Sequence, residues 1–159
     1  MKIVYGILTP SEIDGETLLE LNGLLPPRSP RVNRQQLVEI VSQTTVFVAR
    51  DAEKTHLRGA FKIVGMALLS AKRLMSGFKG GLDDVSVSKF YRGNGIRRGL
   101  MKAAIAHARK MKMKHLKITV NTSNPEREHV IEIYRSLGFE PQEDTRTLRL
   151  RFAPDLANP

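Results

Sequence analysis

The sequence predicts one mixed α/β (α+β) domain, residues 1–159, with elements in the order β-α-α-β-β-β-α-β-α-β. Three observations carry that prediction. The chain has 159 residues, 41% apolar and 26% charged, which is globular composition and enough for one core but not for two. Segments with alternating apolar residues are interleaved with segments whose apolar residues recur at spacings of three and four. Between residues 82 and 121, a strand, a glycine loop, a helix and another strand follow directly on one another.

Lys2 to Leu8 alternates and is β-branched enough for a strand; Thr9-Pro10-Ser11-Glu12 then supplies a cap, a first-turn proline and the Glu of a capping box. The helix this opens carries Ile13, Thr17, Leu18, Leu21 and Leu24 or Leu25 at helical spacing, until Pro26-Pro27 stops it. Arg28 to Val32 reads as a loop, and Asn33 with Gln36 opens a second helix striped by Leu37, Ile40 and Val41. Thr45 to Arg50 is a strand, Asp51 to Gly59 a polar turn region, and Phe61 to Ser70 a strand broken only by Gly65, together an antiparallel hairpin. Ala71 to Gly81 is basic and glycine-punctuated and reads as a mobile connection to the strand Leu82 to Ser88, whose Val85 and Val87 share a face.

After Arg92-Gly93-Asn94-Gly95 a helix carries Ile96, Leu100, Ala104, Ala108 and Met111, and leads to a strand from His115 to Asn121. Ser123 to Glu126 repeats the capping box, with Pro125 in the first turn. Val130, Ile131, Tyr134 and Leu137 stripe the helix that follows, and Gly138 ends it. Thr147 to Phe152 alternates Leu148, Leu150 and Phe152 with Arg149 and Arg151, the pattern of a half-solvated antiparallel strand.

Composition removes several chemistries. With no Cys, the chain has no thiolate nucleophile, disulfide framework, zinc ribbon or iron–sulfur cluster. His56, His107, His115 and His129 lack metal-ligand spacing, so no metal is expected. No apolar run reaches the roughly 20 residues of a membrane span, and the first residues lack a secretory signal, so a cytoplasmic protein without membrane contact is expected. The net charge of +10 points to an anionic partner. Lys89 to Lys117 holds no acidic residue; Arg109 to Lys117 within it reads as a solvated helix face, whereas Arg92, Arg97 and Arg98 stand beside glycines.

A loop that leaves a strand through Arg92-Gly93-Asn94-Gly95 and enters a helix at Ile96 presents free backbone N–H groups at the positive end of the helix dipole. Glycines let that backbone approach a diphosphate, and Arg92 and Arg97 add charge. Taken alone, the two glycines are equally a turn that needs positive φ. The dinucleotide pattern Gly-x-Gly-x-x-Gly fails because residue 98 is Arg, and no Gly-Lys-Ser/Thr phosphate loop exists.

The run Asp83-Asp84-Val85-Ser86-Val87-Ser88-Lys89-Phe90-Tyr91-Arg92-Gly93-Asn94-Gly95-Ile96 resembles the acetyl-CoA motif of the GNAT superfamily of N-acetyltransferases, a valine-bearing strand leading into Arg/Gln-x-x-Gly-x-Gly/Ala. Asn124-Pro125-Glu126-Arg127 followed by Tyr134-Arg135-Ser136-Leu137-Gly138-Phe139 resembles the family's next helix, which ends in Tyr-x-x-x-Gly-Phe. The two motifs stand in the family's order and separation, and the resemblance covers Thr45 to Phe139. It implies a mostly antiparallel central sheet with helices on both faces. The family's last Gly/Ala falls here on Arg97, which either crowds a diphosphate or supplies a further cation.

The resemblance also implies roles. Acetyl-CoA would lie on the loop Arg92, Gly93, Asn94, Gly95, Ile96 and Arg97. The strand Val85, Ser86 and Val87 would pair with the pantetheine arm, the Val87 N–H polarising the thioester carbonyl as an oxyanion-hole donor. Asn121 or Asn124 would bond the pantetheine amides, and Asn124 is equally a helix-start residue with only a structural role. Tyr134 matches the tyrosine that protonates the departing thiolate, and is otherwise the aromatic knob of an apolar stripe. Asp83, Asp84 or water would take the proton of the amine; adjacent strand residues face opposite sides, so one of the two aspartates would face the acceptor.

The expectation is therefore an acetyl-CoA-dependent acyltransferase that passes acetyl directly to a primary amine of a small molecule or peptide. Ala71 to Gly81 and Pro26 to Asn33 would wall the acceptor site. The chain would act as a monomer or homodimer. The alternative is a nucleic-acid-binding or acetyl-CoA-sensing protein without transfer activity. Nucleic acid is disfavoured because only Phe90 and Tyr91 lie close to the basic run.

Overall fold

The alternating segments pair into one five-stranded sheet in chain order: β1 (Ile3–Ile7), β2 (Thr45–Thr55), β3 (Phe61–Leu74), β4 (Gly77–Val87) and β5 (His115–Ile118). The computed structural model describes residues 1–55, 59–120, 125 and 127–142. β1 to β4 run antiparallel, and β5 is parallel to β4 because the chain returns through a crossover helix, α3 (Ile96–Lys110). Helices α1 (Gly15–Leu24) and α2 (Arg34–Gln43) pack on one face, where Leu21, Leu24 and Leu37 meet Val46, Val48, Ile63 and Met66. Helices α3 and α4 (Arg127–Ser136) cover the other, with Leu100, Ala104, Val130 and Tyr134 against Phe47, Ala67, Leu69 and Leu82. The mixed, mostly antiparallel sheet with helices on both faces is the expected fold class.

Local boundaries differ where exposed charge resembles a loop. Ala71 to Gly81 is not a connection: β3 and β4 continue as a hairpin, with Lys72 opposite Lys79, Arg73 opposite Phe78 and Leu74 opposite Gly77. Only Met75 and Ser76 form the turn, and Gly77 takes the positive φ of +120° that closes it. The charged side chains project from strands and so imitate a solvated linker. β2 likewise runs on through Asp51 to Thr55, in what reads as a turn.

The first capping box forms, with Glu12 Oε2 accepting from the Thr9 N–H at 2.8 Å, but it closes only the 3-10 turn Pro10–Glu12. α1 starts anew at Gly15, capped by Asp14, whose Oδ1 accepts from the Thr17 N–H at 2.8 Å. The second box caps α2 as expected. In α3 the buried stripe includes Met101 rather than the exposed Met111. The capping box at Ser123 to Glu126 and the strand Thr147 to Phe152 lie outside the described residues, apart from Pro125.

One irregularity positions the chemistry. Between the pairs Met66–Ser86 and Leu68–Asp83, β4 carries one residue more than β3. The extra residue is Asp84, at φ +47°, a β-bulge. It resets the alternation, so that Leu82, Val85 and Val87 all reach the α3–α4 core while Asp83 and Ser86 face the α1–α2 side. Without the bulge, Val85 and Val87 would point away from that core.

Candidate active site

β4 leads into a 3-10 turn, Lys89–Tyr91, and then the glycine loop. A buried bond fixes this junction: the Tyr91 hydroxyl donates to Asp51 Oδ2 at 3.0 Å, and Asp51, 2% exposed on β2, also accepts from the Glu53 N–H at 3.1 Å. Burial alone would raise the Asp51 carboxyl pKa. The Glu53 and Tyr91 hydrogen bonds, with the charge of Lys54, outweigh burial and leave it below the ordinary carboxylate value. Asn94 folds the loop on itself, its Nδ2 donating to the Tyr91 and Arg92 carbonyls, each at 3.2 Å.

Gly93 and Gly95 hold φ of +79° and +72°, and a Cβ on either would meet open space, so the loop turns an unobstructed backbone surface outward. Gly95 is the N-cap of α3 and offers no side-chain acceptor, which leaves the first-turn N–H groups of Ile96, Arg97 and Arg98 facing the loop. The buried Ile96 side chain anchors that end of the helix in the core. An open, positively polarised backbone cradle suits a diphosphate.

The strand before the loop presents a free edge. The Ser88 N–H donates to the Val64 carbonyl at 2.9 Å, while Val87 lies opposite Gly65. Ser86 and Ser88 are thus the positions bonded to β3, and the Val87 N–H and C=O point the other way. β5 pairs only with Lys79 to Leu82, so among the described residues no strand occupies the Val87 side. The Ser86 side chain is committed elsewhere, donating to the Leu24 carbonyl of α1 at 2.6 Å.

Tyr134 projects from α4 into the cluster that holds Val87, Tyr91 and Ile96, is 5% exposed and rests against Phe139. Its hydroxyl oxygen accepts from Arg97 Nη1 at 3.3 Å. The Arg97 side chain therefore reaches toward α4 and leaves the cradle open. A groove of about 680 Å³, bordered by Leu116, Ile118, Val120, Ile131, Tyr134 and Phe139, runs beside the phenol along β5.

Asp83 and Asp84 are both exposed, and the bulge, rather than simple alternation, sets their directions. Asp83 Oδ2 lies 3.4 Å from Ser70 Oγ. Although Asp84 is exposed as a residue, partial withdrawal of its carboxyl from water, followed by the charge of Asp83, raises its pKa. Asn121 and Asn124 lie outside the described residues. Sequence reading missed three features: the Asp51–Tyr91 tie, the Asp84 bulge and the Arg97–Tyr134 contact. The first and third join residues 40 and 37 positions apart and leave no local signal.

Comparison with known proteins adds a family and a fold. A family model described as acetyltransferase (GNAT) family matches residues 20–139. A Trypanosoma brucei acetyltransferase structure is 22% identical, with a TM-score of 0.69 over 94% of this chain and 100% of that one. The glucosamine-6-phosphate N-acetyltransferase of Arabidopsis thaliana is 16% identical, with a TM-score of 0.68 over 98% and 100%. A chain of the NatC complex bound to Gag peptide and CoA is 17% identical, with a TM-score of 0.72 over 90% and 87%. At these identities the three structures share the fold. Curated protein sequences show no significant match. No described helix is long and apolar enough to cross a membrane.

Proposed function

The chain belongs to the acetyltransferase (GNAT) family, and on that premise we propose that it passes acetyl directly from acetyl-CoA to a primary amine of a small molecule or peptide. The family's donor is acetyl-CoA, which when bound supplies an acyl group activated as a thioester. One observation carries the reading: the open glycine loop continues directly from the edge of β4 at Val87, so an anion-binding cradle and main-chain groups that no described strand pairs lie end to end.

On this reading the N–H groups of residues 93 to 97 hold the diphosphate, and the main chain of Val85 and Val87 receives the pantetheine arm as a further strand. The Val87 N–H polarises the acyl carbonyl from a fixed position, which lowers the barrier without reorganisation. Tyr134 donates its proton to the leaving sulfur. Arg97 supports that role because a guanidinium can only donate: it occupies a lone pair of the phenol oxygen and leaves the hydroxyl hydrogen to point elsewhere. Asp84, its carboxyl made more basic by burial, accepts the amine proton directly or through water, and Asp83 lies beside it. With no Cys in the chain, direct attack within a ternary complex is the economical route. Both acceptor classes stay in the proposal, since the Arabidopsis neighbour is named for a sugar phosphate and the NatC neighbour holds a peptide. The proposed setting is the cytoplasm.

The test is calorimetric titration of the wild type and Gly95→Glu with acetyl-CoA, followed by thiol-release assays over a panel of amines. Binding by the wild type, its loss in Gly95→Glu with an unchanged melting temperature, and amine-dependent thiol release are expected. No wild-type binding would overturn the reading in favour of a nucleic-acid-binding protein, and binding without transfer to any amine would favour a sensor.

A further inference from the structure

α1 and α2 cover one face of the sheet as far as β3 and reach β4 at Ser86, so on that face the rest of β4 and β5 have no helix over them among the described residues. Cross-strand register identifies what they present. Lys72, Lys79 and His115 form one row across β3, β4 and β5, and Ser70, Gly81 and Lys117 form the next. Beyond them comes Asp83, with the bulged Asp84 next to it in the chain and within reach of its charge. Among the described residues none of the three lysines makes a salt bridge, and Lys72 and Lys79 stand directly opposite each other, a pairing that costs stability without an anion between them. The bare face is therefore polarised, with carboxylates beside the candidate acetyl strand and cations toward the hairpin.

We propose that this face is the acceptor platform and that it binds a peptide whose amino terminus is followed by acidic side chains. The inference rests on the acetyl-transfer reading above. An amine is drawn to Asp83 and Asp84. The lysine rows follow at about 7 Å and about 13 Å along β4, since each row is two strand residues from the last. An extended peptide advances by the same step, so acidic residues within its first five positions meet Lys117 and then Lys72 and Lys79. A sugar phosphate reaches the nearer row alone. A polyphosphate backbone would meet Asp83 and Asp84 as like charges and finds no exposed aromatic side chain in these rows on which bases could stack.

The test compares acetyl transfer to three pentapeptides with the same amino-terminal Ser, continuing with Glu and Asp, with Gln and Asn, or with Lys and Arg, and to glucosamine 6-phosphate. The acidic peptide is expected to exceed the neutral one in kcat/KM by about tenfold, an advantage that shrinks with added salt. The double variant Lys79→Glu/Lys117→Glu should remove that advantage while leaving use of the neutral peptide and acetyl-CoA affinity unchanged, with a melting temperature no lower than the wild type's because the first change sets a carboxylate opposite Lys72. Equal use of acidic and neutral peptides, a preference that survives charge reversal, or preferred use of the sugar phosphate would overturn the inference and leave acetyl transfer standing. Absence of acetyl-CoA binding, or of transfer to every amine, would overturn both.

Discussion

Arg97 carries a long side chain where the resembling motif has Gly or Ala, and its guanidinium lies 3.3 Å from the Tyr134 oxygen. The contact turns a departure from the motif into part of the site. If Tyr134 is the acid, Tyr134→Phe should lower kcat by roughly a hundredfold and spare acetyl-CoA affinity. Arg97→Ala should lower kcat less, and adding it to Tyr134→Phe should produce no further loss of kcat, because Arg97 acts through the phenol. A double variant whose losses multiply would separate the two residues. Tyr134 was legible because the Tyr-x-x-x-Gly-Phe spacing ends a helix; its partner was not, because nothing local links residue 97 to residue 134.

At the scale of elements, α3 can start where it does because Gly65 lets it approach β3. A Cβ at Gly65 would lie 3.2 Å from Ile96 Cγ2, from Leu100 Cδ1 and from the Ser86 carbonyl oxygen. Ile96 and Leu100 are buried and the third neighbour is backbone, so none gives way cheaply. Gly65→Val is expected to cost about 1–3 kcal/mol in chemical denaturation and to weaken acetyl-CoA binding by displacing the first turn of α3. Unchanged affinity would show that the loop does not depend on this contact. In the sequence Gly65 stands out as a break in an apolar strand, but the helix that requires it begins more than 30 residues later. The β3–β4 hairpin shows the opposite failure, since its lysines and glycines hid a regular pairing.

For the whole molecule, Asp51 joins the outer half of the sheet to the glycine loop through Tyr91, and it makes stability depend on pH. Its folded pKa is depressed, so its contribution is fully present above the unfolded value of about 3.9 and is lost as pH falls through the folded value. Asp51→Asn keeps an acceptor for Tyr91 and removes the titrating charge. The variant is expected to melt lower than the wild type near neutrality, the gap closing as pH falls below about 4. A gap independent of pH would assign the role of Asp51 to packing alone.

The sequence by itself determined the fold class, the order of the described helices and strands, the glycine loop and the inward face of α4 that carries Tyr134. Each of these is written in local periodicity or in a short motif, because caps, turns and alternating faces act between near neighbours. Only the tertiary structure decided the Asp84 bulge that turns Val85 and Val87 to the core, the free edge at Val87, the Asp51–Tyr91 tie and the reach of Arg97 to Tyr134. These depend on strand register and on contacts between distant segments, which exist only once the chain has packed.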